Sequence, residues 1–369
     1  MSRRPLSAVV LAAGEGTRMK SQRPKPLHLL CGRAMLLYVL DALDDLSVEK
    51  AVVVVGHGAE SVTKKLSEQG PPDLVIDFVE QHVQRGTGDA LSVALTAFAD
   101  DDHDDGGDLV VLPGDTPLLR PSTVAELVRR HRETDAAATL LTARVDDPTG
   151  YGRVVRGKDD RVRRIVEQAD AVGDELGIDE INTSIYCFRR SLLAPALRRL
   201  SPENAQGEYY LTDVVEVLHD AGYTVVSLVS DDPEETQGVN DRAQLAAAEA
   251  ELRARTNQFW MARGVTMLDP DRTYIDATVE LASDVTLFPG SMLQGRTIVG
   301  AGAEIGPGTR LVDSVVGPGA RVEMTVCRDA DIGADAIVGP FAVLEPGDSI
   351  PAGVRTGPFY SPTADTAKG

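Results

Sequence analysis

A short β-branched run at residues 8–11 leads through Ala12 and Ala13 into Gly14-Glu15-Gly16-Thr17-Arg18-Met19. Glycines placed directly after a first strand let backbone N–H groups approach phosphate oxygens closely. Met19 stands where a dinucleotide-binding turn needs its third glycine, and the spacing of a P-loop is absent. The continuation sharpens the reading: Arg18 is followed by Pro24-Lys25-Pro26-Leu27-His28. Two cations on one glycine-rich loop, in a chain with seven lysines and a net charge of −20, suggest a triphosphate clamp. The competing reading is a solvated basic loop. A second candidate is Asp115, in Leu112-Pro113-Gly114-Asp115-Thr116-Pro117, just past the carboxyl end of an expected strand. Open α/β sheets place ligands there. An Asp at that point can hold Mg²⁺ together with phosphate oxygens, although a lone Asp also reads as a turn or helix N-cap residue.

These residues need a scaffold. Expected strands at 8–11, 51–55, 74–78, 109–112 and 137–141 alternate with helical spacing at 35–46, 88–98 and 123–134. The pattern predicts a doubly wound α/β, Rossmann-like domain with helices crossing onto a parallel sheet. The Asp- and Gly-rich tract 100–108 reads as a solvated surface loop rather than a calcium site. An Ala-rich helical linker is expected over 241–263, giving an α/β domain at 1–240.

Beyond Gly264 the texture changes. Val299-Gly300, Ile305-Gly306 and Leu311 recur every six residues, as do Ile332-Gly333, Val338-Gly339, Leu344 and Ile350, with Val316-Gly317 and Val322 in a shifted phase. One aliphatic and one small residue per six is the hexapeptide signature of a parallel β-helix. We assign residues 264–360 to it, about four coils lying within 279–356, and read 361–369 as a disordered polar tail. A short β-helix of this kind serves oligomerisation.

The composition, 43% hydrophobic and 25% charged, fits a globular protein. The excess of carboxylates argues against nonspecific binding to nucleic acid or an anionic membrane. No apolar run reaches bilayer-spanning length, and no cleavable signal pattern opens the chain, so a cytoplasmic location is expected. Three scattered cysteines predict reduced, buried thiols, and the six histidines lack metal-ligand spacing.

Further motifs follow: Gln81 with Gly86-Thr87-Gly88, Gly150-Tyr151-Gly152-Arg153, Val166-Glu167-Gln168, Glu180-Ile181-Asn182-Thr183, Glu208-Tyr209-Tyr210-Leu211-Thr212-Asp213 and Gly238-Val239-Asn240. In this order, with L-A-A-G-x-G-T-R-M and P-K-x-L-H ahead of them, the chain closely resembles the bacterial bifunctional N-acetylglucosamine-1-phosphate uridylyltransferase/glucosamine-1-phosphate acetyltransferase family, from Val10 to about Phe359. The resemblance implies a left-handed β-helix and a homotrimer. It implies nucleotide and triphosphate contacts at Leu11, Ala12, Ala13, Gly14, Arg18 and Lys25, and uracil reading at Gln81, Gly86 and Thr87. Gly152, Glu167 and Asn182 match the contacts to the N-acetylglucosamine moiety, and Asp115 and Asn240 match the two protein ligands of a catalytic Mg²⁺.

The implied reaction is uridylyl transfer from UTP to a sugar 1-phosphate, N-acetylglucosamine 1-phosphate first among them. Two departures keep another nucleotide or sugar phosphate open: Asp89 stands where the family usually has His, and Ser184 where Gly is commoner. From a different class, a non-catalytic nucleotide-sugar scaffold is weighed against by the intact Lys25, Asp115 and Asn240. The resemblance stops near Phe359, before the segments that carry acetyl transfer in the family, and Glu345 replaces an Arg that holds substrate phosphate there. No histidine follows His219, so acetyl transfer by this chain is not expected.

Overall fold

The computed structural model describes residues 4–44, 46–98 and 107–362. They fall into two compact units, one within residues 1–28 and 34–245, the other within 29–33 and 246–369.

In the first unit the order is β1 (Leu6–Ala12), α1 (Met35–Asp41), β2 (Lys50–Val55), α2 (Ala59–Gln69), β3 (Ile76–Glu80), α3 (Thr87–Leu95), β4 (Asp108–Pro113), α4 (Pro121–Glu133) and β5 (Ala138–Arg144). Then come β6 (Arg153–Arg156), β7 (Val162–Val166), β8 (Glu180–Arg189), α5 (Arg190–Leu197), α6 (Asp213–Asp220) and β9 (Val225–Val229). Among the described residues one sheet runs β9-β5-β8-β4-β1-β2-β3, extended by the β6/β7 pair on β8. The α/β reading holds, but the sheet is mixed. β1 pairs in parallel with β2 and β4, whereas β8 is antiparallel to both β4 and β5, and β6 and β7 form an antiparallel hairpin. Buried Asn182 and Thr183 interrupt the apolar run of β8, and this is why local periodicity did not mark it as a strand.

Successive β1 residues serve opposite faces. Val9 joins a core with Val52, Val111 and Phe188, while Val10 joins another with Val53, Leu112, Leu37 and Leu127. With both faces covered, residues 8–12 of β1, 51–55 of β2 and 109–112 of β4 are unbroken apolar runs.

Two expectations for this unit need correction. The helix expected over 35–46 ends at Asp41, where Ala42 N–H bonds back to the carbonyls of Tyr38 and Leu40. The tract read as a solvated loop includes Asp108, which is fully buried at the start of β4; residues 100–106 of that tract lie outside the described residues. Arg4 Nε and Arg132 Nε lie 3.0 and 2.8 Å from its carboxylate oxygens, and His131 Nε2 lies 3.6 Å away. Three basic partners make burial of that charge tolerable.

Helix α7 (Arg242–Met261) covers the segment expected as a helical linker. The second unit is a left-handed β-helix of three parallel five-stranded sheets, so each face has five rungs. Strands at Thr266–Met267 and Tyr274–Ile275 precede the repeat recognised by spacing. Leu287, Ile305, Val322 and Val338 stack inside one sheet, and Leu293, Leu311, Cys327 and Leu344 inside another. The phase shift has a local cause. Leu311 to Val316, Val322 to Cys327 and Cys327 to Ile332 are steps of five rather than six, and each shortened turn has a left-handed residue, Asp313, Met324 or Asp329, at φ 49, 43 and 44°. Buried Ser291, Thr297 and Thr309 at the corners donate to backbone carbonyls of Phe288, Gln294 and Val322.

Residues 29–33 pack with this second unit, which sequence spacing did not foresee. Cys31 N–H donates to Glu249 Oε2 at 2.7 Å and its carbonyl accepts from Ala277 at 2.9 Å. A Cβ on Gly32 would collide with the Asp276 carboxylate. Cys31, Cys187 and Cys327 are all buried free thiols. The tail expected at 361–369 lies outside the described residues from 363 onward.

Candidate active site

The chain leaves β1 toward β2 on one side of the sheet and reaches β4 on the other, so the loops after β1 and β4 diverge and leave a crevice. Gly114 N–H donates to the Leu11 carbonyl at 2.8 Å, and a Cβ on Gly114 would lie 2.9 Å from that of Ala12, so the two loops touch at a glycine. A cavity of about 710 Å³ opens there. Leu11, Ala12, Ala13, Gly14, Lys25, Gln81, Gly86, Thr87, Asp115, Asn182 and Asn240 all line it. A Cβ on Gly14 would meet nothing within 4 Å, which leaves room beside this backbone for a ligand.

The cationic end is closely knit. Lys25 Nζ donates to Asp115 Oδ2 and, at 2.8 Å, to Asn240 Oδ1. Arg18 lies outside the cavity lining but donates from Nη2 to the same Asn240 oxygen at 2.9 Å. Gly238 and Val239 set Asn240 in place: Val239 N–H donates to the Asp115 carbonyl at 2.8 Å, and Gly238 has its Cα side 3.3 Å, at a Cβ position, from Asp115 Oδ1. Two side-chain oxygens from distant segments thus accept from one ammonium. That is a hard donor set, suited to Mg²⁺. No group of three His, Cys, Asp or Glu side chains among the described residues could hold a metal, so a cation at Asp115 and Asn240 must draw further ligands from phosphate or water.

At the opposite end, Gln81 is buried directly after β3, and the 85–88 loop is clamped by the 208–212 segment. Tyr209 N–H donates to Arg85 O and its carbonyl accepts from Gly88, both at 2.8 Å, while Leu211 N–H donates to Thr87 Oγ1 at 3.1 Å. Gly86 has φ 106°, and a Cβ there would lie 2.6 Å from the Tyr209 carbonyl. The two motifs, far apart in sequence, are therefore two halves of one wall.

Gly152 and Glu167 stand outside the cavity lining, adjacent to Asn182. A Cβ on Gly152 would lie 3.3 Å from Glu167 Oε2 and 3.6 Å from Asn182 Cβ. Asn182 donates from Nδ2 to Tyr186 Oη at 2.8 Å, and Thr212 Oγ1 donates to Glu167 Oε1 at 3.0 Å. Burial pushes the Glu167 carboxyl up against that hydrogen bond, and the charges of Asp213, Asp170 and Glu208 push it further. Asp213 is itself pushed up to about 6 by burial, with Glu216 and Asp170 adding.

Several site residues escaped the sequence reading of roles. Gln84 lines the cavity and donates from Nε2 to the Ala13 carbonyl at 3.3 Å. Tyr151 lines it too; burial raises its phenol, with the Asp115 charge adding. Arg153 is fully buried and carries Gln168 Oε1 at 2.8 Å, which in turn accepts from Gly150 N–H at 3.1 Å. The Gly-Tyr-Gly-Arg and Glu-Gln motifs gave the only sequence signal for this network.

A model of the nucleotidyl transferase family matches residues 7–261. The bifunctional protein GlmU of Shouchella clausii is 44% identical over 352 residues, 95% of this chain and 75% of that protein. That of Thermobifida fusca is 46% identical over 330 residues, covering 89% and 68%, and that of Streptomyces avermitilis 45% over 357 residues, covering 96% and 73%. The chain spans about three quarters of the length of these relatives.

Proposed function

Because the chain belongs to the nucleotidyl transferase family, as a relative of the bifunctional GlmU proteins, we propose that it transfers a uridylyl group from UTP to N-acetylglucosamine 1-phosphate. The products are UDP-N-acetylglucosamine, a cell-wall precursor, and pyrophosphate. The observation that carries this reading is the convergence of Lys25, Asp115 and Asn240 beside the open backbone at Gly14.

A sugar 1-phosphate has a second pKa of about 6 and is mostly dianionic at neutral pH. Its oxygen therefore attacks the α-phosphorus of UTP without a protein base, and the enzyme's work is alignment and charge neutralisation. Lys25, Arg18 and the amides of residues 11–14 hold the triphosphate and the departing pyrophosphate. Gln81, Gly86 and Thr87 receive the base, and Asn182, with Glu167 and Gly152 behind it, receives the sugar. Asp115 and Asn240 are the proposed ligands of Mg²⁺, which when bound supplies charge stabilisation at the phosphates. The cytoplasm, where such substrates are made, is the compartment proposed; among the described residues no helix is long and apolar enough to cross a membrane.

A pyrophosphate-release screen across nucleoside triphosphates and sugar 1-phosphates tests the reading. Release with a different pair, and none with this one, moves the assignment to another sugar nucleotide, an alternative favoured by Ser184, which holds φ 61° in the cavity wall. Nucleotide binding without any release identifies a scaffold. We further propose that this 369-residue chain does not acetylate glucosamine 1-phosphate, since Glu345, 3.5 Å from Arg328, would repel a sugar phosphate. Enzyme-dependent thiol release from acetyl-CoA with N-acetylated product refutes that.

A further inference from the structure

We propose that Asp89 selects the nucleotide base by fixing the side-chain amide of Gln81. Gln81 is buried and lines the cavity. Its Nε2 donates to Asp89 Oδ2 at 2.8 Å and to the Gly86 carbonyl at 3.2 Å. Both partners are acceptors only. Turning the amide over would set Oε1 against a carboxylate and a carbonyl, so these two partners determine which end of the amide is which. Among the described residues nothing donates to Oε1. Nor is Oε1 one of the buried atoms lacking a partner, so it is open to a ligand.

The base end of the cavity therefore offers a fixed acceptor. A base with an imide N–H, such as uracil, satisfies it. Cytosine presents a ring-nitrogen acceptor at the same position, and two facing acceptors leave both unpaired. Asp89 lies in the first turn of α3, where an acidic residue also stabilises the helix. That structural role carries no preference between bases. The inference rests on the uridylyl reading above and adds a positioning residue to it.

The test compares the full chain with Asp89→Asn, whose amide can donate to or accept from Gln81, and with Asp89→Ser as a second variant at the same helix turn. Dissociation constants for UTP and CTP are measured by calorimetry, alongside kcat and KM with N-acetylglucosamine 1-phosphate. We expect the UTP-over-CTP preference to fall about tenfold or more in Asp89→Asn, the scale of one donor or acceptor left unpaired. The change should appear in KM and Kd for UTP, with kcat within about twofold and thermal unfolding little changed. A preference within twofold of wild type in a folded variant overturns the assignment of Asp89 and leaves the transfer reading intact. A wild-type chain that binds UTP no better than CTP overturns the Asp89 inference directly. Wild type that prefers UTP yet releases no pyrophosphate overturns the transfer reading, and the binding ratios still decide the role of Asp89.

Discussion

A Cβ added at Gly16 would lie 2.7 Å from the Cβ of Lys25, so the second glycine of the loop is the space in which the lysine stem packs. Gly16 also holds φ 62°, a conformation that costs an L-residue about 1–2 kcal/mol. Strain and collision act together on the one lysine that reaches Asp115 and Asn240. Gly16→Ala should lose at least 1–2 kcal/mol in urea unfolding, on the order of that backbone cost, and raise the KM for UTP more than that for the sugar phosphate. Wild-type kinetics in this variant would separate the glycine from the lysine's function.

Asp115→Ala and Asn240→Ala should each lower kcat about a hundredfold or more, the scale of a lost electrostatic contact to reacting phosphates, while circular dichroism stays unchanged. Each should also raise the Mg²⁺ concentration needed for half-maximal rate. Near-normal turnover in either folded variant would remove that residue from the metal assignment. Lys25→Ala should act on the triphosphate, and a rise confined to the KM of the sugar phosphate would contradict it.

Burial raises the Glu167 carboxyl, with neighbouring carboxylates adding. A raised carboxyl pKa means that ionisation favours the unfolded chain, so this group's penalty appears as pH rises above the ordinary value of 4.5. Glu167→Gln, which keeps an acceptor for Thr212, should raise the melting temperature at pH 7 and have little effect well below pH 4.5. It should also raise the KM for the sugar phosphate about tenfold, the loss of one charged hydrogen bond. A variant neither stabilised nor impaired would place Glu167 outside the site.

Asp108 behaves in the opposite sense. Burial alone would raise its carboxyl, but the adjacent His131, the hydrogen bond from Arg132 and the charge of Arg4 hold it below the usual 3.8. Its contribution is full above 3.8 and is lost as pH falls through the lower folded value. Asp108→Asn should cost about 3 kcal/mol at pH 7, the scale of breaking a buried ion pair, and the gap from wild type should close only below pH 3.8. Urea unfolding across pH 3 to 7 checks both.

On the β-helix, Ile298 and Val315 are register neighbours on one outer face, and each is 43% exposed. We expect a homotrimer burying such aliphatics, with a scattering mass about three times that of the 39.3 kDa chain. Ile298→Glu with Val315→Glu should dissociate it, and a concentration-independent wild-type monomer would refute the assembly.

Whatever depends on near neighbours is legible in the amino-acid order. The glycines after β1, the Asp just past β4 and the six-residue period of the β-helix are local rules, since a turn, a strand end or a rung is built from consecutive residues. What depends on which distant segments meet emerges only in the folded chain. Asn240 reaches Lys25 and Asp115 only because three loops share one crevice, and Tyr209 backs Gly86 only across a wall built from both. β8 pairs antiparallel with β4 and β5, strands distant from it in the chain, and Asp108, read as solvent-facing from its Asp-rich neighbours, is buried because Arg4, His131 and Arg132 gather around it. Residues 29–33 joined the second unit through Glu249 and Ala277. Long-range pairing leaves no period in the local pattern, because a hydrogen bond or ion pair constrains two positions without marking the residues between them.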